Sequence, residues 1–433
     1  MTTIGTSAIQ AEADSEADAL ARDAADPMTA LRNRFILPDG PDGPDGEAAI
    51  YVAGQSLGLQ PRAARAAIEA DLERWARLGI EGFFSGERPW FTLDDALREP
   101  LARIVGARPS EVALLNSLTV NLHLLLTSFF RPAGRRRRIL VDAPLFPSDR
   151  HALTSHLAAR GLDAATDLVA IGPRPGEATP GSDDLDAAIA EHGPDLALVL
   201  LAGVNFATGR ALDIERLTAA GRAAGAPVVW DLAHAVGNVE LSLHDWGVDA
   251  AAWCTYKYLN GGPGSIGALF VHERHGRDAS IPRHAGWWGA DPDRRFSMDG
   301  EFVPAEGAAG WKASTNTVLA LAPLAASLAI FDEVGMPALR GRSVALTGYL
   351  ARLLEHLPVE VITPADPAAR GAQLSLLVEN AEAVLAGLAA RGVVADFRAP
   401  DIIRVAPVPL YNTYHDAWRL VERLGAAIEA TGT

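Results

Sequence analysis

The sequence has little of several features that would point to particular classes of protein. Cys254 is the only cysteine among 433 residues, so no disulfide can form within the chain, and we expect a reducing, cytoplasmic location. No apolar run reaches the roughly 18 residues that a membrane-spanning helix needs. Excess positive charge is also absent. The net charge of −16 argues against a nucleic acid or an anionic membrane as a partner.

The composition and length are those of a large folded protein with more than one domain. With 49% hydrophobic and 21% charged residues, the chain can bury a sizeable core. A length of 433 residues exceeds that of a usual single domain. We predict a flexible acidic tail over residues 1–26, a large domain over 27–312 and a smaller α+β domain over 313–433.

Apolar strands alternate with amphipathic helices between about residues 111 and 270. The run "LALVLLAGV" is continuously apolar, as expected of a strand that is buried on both faces. Such alternation predicts an α/β fold with a mainly parallel sheet wrapped by helices. Functional side chains are then expected beyond the carboxyl ends of the strands.

Two strand-end residues suggest a pyridoxal 5'-phosphate (PLP) site. Asp231 ends the apolar stretch "VVWD", and Lys257 follows the next predicted strand, just before a glycine-rich turn. A lysine can form a Schiff base with PLP, while an aspartate can pair with the pyridinium nitrogen and keep it protonated. The lysine can also carry protons once the substrate amine displaces it.

Other residues could complete such a site. The stretch "LLNSLTVNLH" predicts a strand, a turn and a helix whose N-terminus could bind the phosphate, with the hydroxyl of Thr119 nearby. Tyr256 could reach the same phosphate, while Phe146 and Asp149 in "LFPSD" offer an aromatic face and a second carboxylate. Each signal is weak alone, because a strand-end aspartate is often only a helix cap. Together they favour PLP over a purely structural explanation.

The stretch "DLAHAVGNVELSLHDWGVDAAAWCTYKYLNGGPG" closely resembles kynureninase, a PLP-dependent enzyme family of fold-type I. The resemblance runs in the family's order from "YVAGQSLGLQP" to "IIRVAPVPLYN", through "FPSD", "GVNFATG" and "AGWWG". It implies a mainly parallel seven-stranded sheet with a smaller C-terminal domain. It also implies a homodimer whose active site is completed at the subunit interface. No metal is implied.

The resemblance assigns roles to matching positions of this chain. Lys257 would bind PLP, Asp231 would pair with its ring nitrogen, and Phe146 would stack on the ring. Further cofactor contacts would come from a set on several loops: Leu118, Thr119, Asp149, His234, Tyr256, Trp287 and Thr315. Arg404 would bind the substrate α-carboxylate, because a planar guanidinium matches a carboxylate. The remaining substrate contacts would be Ser56, Phe83, Thr315 and Asn316.

The implied reaction is hydrolysis of the Cβ–Cγ bond of kynurenine or 3-hydroxykynurenine to an anthranilate and L-alanine. Lys257, Tyr256 and Asp231 would be catalytic. An aminotransferase is an alternative, because Arg404 could serve a second carboxylate substrate. A cysteine desulfurase is a poor alternative, because Cys254 lies within a strand and could not act as a mobile nucleophile.

The sequence departs from the family pattern where the substrate's aromatic ring would lie. The family commonly has Ser-Asn-Pro-Pro where this chain has Ser314-Thr315-Asn316-Thr317, and animal members have a histidine near Phe83. A changed polar group in a pocket can redirect specificity, because unpaired buried polar atoms are costly. A kynureninase-like lyase acting on another β-acyl or ring-substituted amino acid is therefore a second hypothesis.

Overall fold

The computed structural model describes residues 14–297 and 300–432. Thirteen α-helices lie within these residues: α1 Glu16–Ala25, α2 Ala64–Leu78, α3 Asp95–Val105, α4 Leu118–Phe129, α5 Pro147–Ala158, α6 Ala164–Asp167, α7 Ser182–His192, α8 Ile214–Ala223, α9 Glu273–Gly276, α10 Val318–Val334, α11 Met336–Leu354, α12 Ala381–Ala390 and α13 Tyr414–Ala430. Single-turn 3-10 helices include Gly79–Phe83, Trp90–Thr92 and Trp287–Gly289.

Seventeen short strands occur in the same part of the chain. They are β1 Phe35–Ile36, β2 Asp39–Gly40, β3 Gly43–Ala48, β4 Ile50–Tyr51, β5 Gln60–Pro61, β6 Val112–Leu114, β7 Arg138–Asp142, β8 Leu168–Ile171, β9 Leu196–Ala202, β10 Val228–Asp231, β11 Ala250–Trp253, β12 Ala268–Val271, β13 Glu360–Val361, β14 Leu374–Leu377, β15 Val393–Val394, β16 Asp396–Arg398 and β17 Ile402–Val405.

The chain forms two compact units. Of the described residues, unit 1 comprises 14–63, 207–210 and 336–432, and unit 2 comprises 64–206, 211–297 and 300–335. Unit 2 therefore contains the region where strands and helices alternate in sequence, and unit 1 combines both ends of the chain.

Unit 2 is built on a seven-stranded sheet in the order β6-β12-β11-β10-β9-β7-β8. The strands from β11 to β8 run parallel, and only β12 is antiparallel to its neighbours. Six of the seven residues of β9 are buried, because helices cover both faces of a parallel sheet. The prediction of an α/β fold with a mainly parallel seven-stranded sheet is confirmed.

The parallel pairing fixes which side chains meet at the edge of the sheet. Asp231, the last residue of β10, pairs in register with Ala202 on one side and Ala252 on the other. Asp142 ends β7, the strand on the far side of β9. Because these strands are parallel, their carboxyl ends lie at the same edge.

Unit 1 contains a four-stranded antiparallel sheet in the order β13-β14-β17-β16. Helices α11, α12 and α13 share a buried core with this sheet through side chains such as Leu350, Leu388 and Leu424. The short strand β4 pairs in parallel with β15, so residues from both ends of the chain form this unit.

The predicted domain boundaries differ from those of the structure. The prediction ended the large domain at residue 312, but unit 2 continues to Gly335 because α10 packs against α2 and α3. Residues 14–26 of the predicted flexible tail form an ordered element. Ser15 caps α1, and Asp23 accepts hydrogen bonds from the backbone N–H groups of Tyr414 and His415 at the start of α13. Residues 1–13 lie outside the described part of the chain.

Within the described residues, no single helix has the length and apolar character to cross a membrane. Only one bent pair of consecutive helices, α10 with α11, meets that criterion, by length and composition alone.

Candidate active site

A cavity in unit 2 lies at the carboxyl ends of the central strands. Polar side chains from four strand ends and from α5 face it, together with aromatic and aliphatic side chains. Its lining comprises Leu118, Asp142, Pro144, Leu145, Phe146, Asp149, Leu200, Ala202, Val204, Asn205, Phe206, Asp231, Ala233, His234 and Lys257. Six of the predicted site residues are therefore brought together here: Leu118, Phe146, Asp149, Asp231, His234 and Lys257.

The backbone after β11 places Lys257 in this cavity. Gly261 donates a hydrogen bond to the carbonyl of Thr255, and a Cβ at Gly261 would lie 2.5 Å from the hydroxyl of Ser265. Gly262 has a φ of +90°, which side chains rarely adopt. Gly261 and Gly262 thus allow the tight turn that follows Lys257. Lys257 is buried, and its Nζ lies 3.0 Å from Nε2 of His234.

Three acidic residues share the cavity with the lysine amine, and two of them, Asp231 and Asp149, were predicted from the sequence. Asp231 accepts a hydrogen bond from the backbone N–H of Ala233 at 2.8 Å. Burial raises the pKa of the Asp231 carboxyl, although the charge of Lys257 opposes this effect. Burial also raises the pKa of Asp149, and the neighbouring carboxyl of Asp231 raises it further. Several buried carboxyls beside a single amine favour the arrival of a further positively charged group.

Aromatic side chains form one wall of the cavity. The rings of Phe146 and Phe206 meet edge to face with centroids 5.3 Å apart. Nζ of Lys257 lies 5.9 Å from the centroid of the Phe146 ring. A planar group attached to the amine of Lys257 would therefore lie close to the ring of Phe146.

Two helices begin beside the cavity. Leu118 is the first residue of α4, and Phe146 immediately precedes α5. Neither helix is capped by the side chain of its N-cap residue. The hydroxyls of Thr119 and Ser148, each in the first turn of its helix, lie 2.7 Å apart. Backbone N–H groups and helix dipoles at such ends favour an anion.

These residues fit PLP. The lysine amine suits its aldehyde, the buried Asp231 suits its cationic ring nitrogen, and Phe146 suits its ring face. The two uncapped helix N-termini with their hydroxyls suit its phosphate. Oδ1 of Asp149 is buried without a hydrogen-bond partner among the described residues, so it remains available to a ligand.

Several predicted residues do not line this cavity. Tyr256 faces the lysine amine, whose Nζ is 5.9 Å from its ring, and burial raises the pKa of its phenol. Trp287 is half exposed and donates a hydrogen bond to the carbonyl of Arg295. Thr315 is exposed, and the side-chain nitrogen of Asn316 is buried without a hydrogen-bond partner in the described part of the chain. Phe83 meets the ring of Trp90 edge to face.

The predicted substrate-carboxylate residue lies in unit 1. Arg404 is 1% exposed on β17 and donates hydrogen bonds to Oγ of Ser56 at 3.0 Å and to Oδ2 of Asp396 at 2.6 Å. The hydroxyl of Ser56 also hydrogen-bonds to Asp396. Ser56 and Arg404, which are 348 positions apart, are therefore neighbours within the same unit.

Sequence reasoning missed three polar residues of these clusters. Asp142 and Asn205 line the cavity, and Asp396 holds Arg404. The position of Asp142 at the end of the strand "RILVD" carried the same signal as Asp231. No pattern in the sequence pointed to Asp396, because its partner is reached only through the pairing of β16 with β17.

Cys254 lies directly after β11 and is 4% exposed. Burial raises the pKa of its thiol, so the reactive thiolate is disfavoured. A desulfurase mechanism needs a mobile thiolate, and this residue does not provide one.

The sequence comparisons identify the family. The model of the kynureninase C-terminal domain family matches residues 339–424. Over 412 residues the chain is 50% identical to a kynureninase of Koribacter versatilis, with 94% of this chain and 96% of that protein covered. A kynureninase of Salinispora tropica is 52% identical over 416 residues, with the same coverage of both chains. The chain belongs to the kynureninase family.

Solved structures similar to this kynureninase family member establish the fold. A mutant of the enzyme C-DES, with glycine covalently linked to PLP, superposes with a TM-score of 0.76 at 21% identity over 91% of this chain and 98% of that chain. The cysteine desulfurase CsdA of Escherichia coli gives a TM-score of 0.74 at 18% identity over 93% and 98% of the two chains. The large domain thus has the fold-type I architecture.

Proposed function

We propose that this protein is a PLP-dependent hydrolase that cleaves the Cβ–Cγ bond of kynurenine or 3-hydroxykynurenine, releasing an anthranilate and L-alanine. The observation that carries the proposal is the cavity in which Lys257, Asp231 and Phe146 converge. About 50% identity to kynureninases over nearly the whole chain supports the same reaction.

When bound, PLP supplies an electron sink for the negative charge that develops on the substrate. Lys257 is the residue that anchors it covalently. Asp231 holds the proton on the ring nitrogen, which is consistent with a buried carboxyl that has no arginine or lysine bonded to it among the described residues. Phe146 would lie against the ring, and the first turns of α4 and α5 would hold the phosphate through backbone N–H groups and Thr119.

Lys257 also moves protons during the reaction. Its amine, released by the substrate amine, takes the proton from the substrate Cα. His234, 3.0 Å from that amine, orients it. Tyr256 donates a proton to Cβ after the bond breaks, and the raised pKa of its phenol keeps that proton in place until then. Water adds to the γ-carbonyl carbon, which makes the cleavage a hydrolysis.

Arg404 binds the α-carboxylate of the amino acid substrate. Its contacts with Ser56 and Asp396 hold the guanidinium in one orientation, so little side-chain freedom is lost when the substrate binds. Leu118, Asp149, Trp287 and Thr315 are proposed as further cofactor contacts. Phe83, Thr315 and Asn316 are proposed to face the aryl group.

We also propose a homodimer that completes the active site. Unit 2 exposes large apolar side chains on α2 and in the turn after it, with Trp75 61% exposed and Ile80 69% exposed. Phe84, Phe296 and Trp287 form a second exposed aromatic group. Apolar surface of this kind favours burial against another protein chain.

Replacing each lysine in turn tests the proposal, because Lys257 and Lys312 are the only lysines in the sequence. We expect Lys257→Arg to lose the visible absorbance of bound PLP and the release of anthranilate from kynurenine. The matched control Lys312→Arg should keep both. A wild-type protein that stays colourless with PLP, or that releases no anthranilate from kynurenine or 3-hydroxykynurenine, would contradict the proposal.

A second candidate function is cleavage of a different β-acyl or ring-substituted amino acid. The observation that favours it is the segment Ser314–Thr317, where Thr315 and Asn316 replace the family's asparagine and proline. Ring-substituted analogues assayed beside kynurenine distinguish the two functions. A higher kcat/KM for an analogue than for kynurenine and 3-hydroxykynurenine would favour the second.

A further inference from the structure

A third buried carboxylate lies in the cavity, beside the two that the proposed function uses. Asp142 ends β7 and is 6% exposed. Its Oδ1 accepts a hydrogen bond from the backbone N–H of Ala202 at 3.0 Å, and its Oδ2 accepts one from the side chain of Asn205 at 3.4 Å. Among the described residues, no arginine, lysine or histidine forms an ion pair with it.

The charged groups around Asp142 come from three other elements of the cavity. Asp149 faces it from α5, Asp231 and His234 from β10 and the turn after it, and Lys257 from the segment after β11. The neighbouring strand β9 and the residues after it contribute only uncharged donors. Three carboxyls thus surround one amine and one imidazole.

Burying the carboxylate of Asp142 without a bonded cation costs free energy. A positive charge elsewhere in the cavity would offset that cost. Burial, together with the negative charge of Asp231, raises the pKa of Asp142 to about 6. The two hydrogen bonds oppose this rise but do not cancel it. The carboxyl of Asp142 is therefore mostly ionised at neutral pH. Its negative charge favours the protonated state of other groups in the cavity.

We propose that Asp142 is a positioning residue for the cofactor, with two effects. Its carboxylate fixes the segment from Ala202 to Phe206 through two hydrogen bonds, and its negative charge favours the protonated state of the cofactor attached to Lys257. This inference rests on the proposed binding of PLP. It adds to Asp149 and Asp231 a third acidic residue, which reaches the cavity from β7 on the far side of β9.

The test is a pH titration of the visible absorbance of the PLP-loaded protein. In Asp142→Asn, and in the smaller Asp142→Ser, we expect the midpoint to move to lower pH by about half a unit to one unit, because a nearby negative charge is lost. Asp142→Glu keeps the charge and should stay closer to the wild type. Asp186→Asn removes a charge from the surface of α7 and should leave the midpoint unchanged.

The outcomes separate the electrostatic role from a structural one. A lower melting temperature with an unchanged midpoint in both neutral variants would overturn the inference. Asn205→Ala keeps the carboxyl of Asp142 but removes a hydrogen bond that lowers its pKa, so its midpoint should move in the same direction as in Asp142→Asn, by less. If the wild type itself develops no visible absorbance with PLP, the proposed function fails instead.

Discussion

At the scale of single residues, the chain buries several charged groups outside the active site. Lys312 and Asp94 form an ion pair in unit 2, and both side chains are almost completely buried. Burial lowers the pKa of Lys312. Removing one member of a buried pair leaves the other without compensation, whereas removing both can be nearly neutral.

We expect Lys312→Met to lower the free energy of unfolding by about 3 kcal/mol. The double variant Lys312→Met with Asp94→Leu should recover most of that loss. Denaturant unfolding of the three proteins measures both effects. Among the described residues, Asp94 in Lys312→Met keeps only Arg98, whose Nη2 lies 3.8 Å from its Oδ2. Equal losses in the single and double variants would mean that packing, and not the lost compensation of the carboxylate, causes the destabilisation.

A second residue-scale prediction concerns pH. His156 on α5 is buried beside Phe130 and Arg160, and burial lowers its pKa to about 4. The unfolded chain therefore binds a proton at His156 between about pH 6.5 and pH 4 that the folded protein does not bind. This residue makes the folded protein less stable as the pH falls through that range.

His156→Gln removes this titration. Between pH 7 and pH 5 we expect the wild type to lose about 1–2 kcal/mol more of its free energy of unfolding than the variant does. Denaturant unfolding at the two pH values measures the difference. An equal loss in both proteins would show that His156 is protonated in the folded state.

At the scale of elements, the N-termini of α4 and α5 form the proposed phosphate site. Thr119→Val keeps the shape of the side chain but removes the hydroxyl that contacts Ser148. We expect PLP affinity to fall about tenfold, the effect of one lost hydrogen bond to a charged group. Thr127→Val, further along the same helix, is the control and should bind PLP like the wild type. Equilibrium titration with PLP measures both, and equal affinities would place the phosphate elsewhere.

The elements also show what the sequence could predict. The central sheet was predictable, because buried strands such as β9 carry continuous apolar runs and β6, β7, β8 and β9 are each followed by a helix. Lys257 and Asp231 were predictable because parallel strands end at one edge. The sequence did not allow prediction of the contact between Asp23 and α13 or of the contact between Asp396 and Arg404. Each contact joins two segments that only tertiary packing brings together, and no local sequence pattern indicates that packing.

At the scale of the whole molecule, exposed apolar surface on unit 2 supports the proposed homodimer. We expect Trp75→Glu combined with Ile80→Glu to shift the protein towards the monomer, because charged side chains resist burial in an interface. Analytical ultracentrifugation measures the change, and Glu81→Gln in the same turn is the control. A wild type that sediments as a monomer at micromolar concentration would contradict the proposed assembly.

The bonds of Arg404 bear on how this highly negative molecule meets its substrate. The guanidinium is already paired with Asp396, which also pairs with Arg398, so the charge of Arg404 is partly offset before a substrate arrives. The carboxylate of an arriving amino acid therefore meets a guanidinium that already has an anionic partner. It either displaces Asp396 from Arg404 or binds beside it. Ionic strength, which weakens long-range steering, should therefore change kcat/KM for a zwitterionic substrate by less than about twofold between low and physiological salt. The substrate then reaches the site by diffusion without long-range electrostatic attraction, and binding depends on the exchange of carboxylates at Arg404.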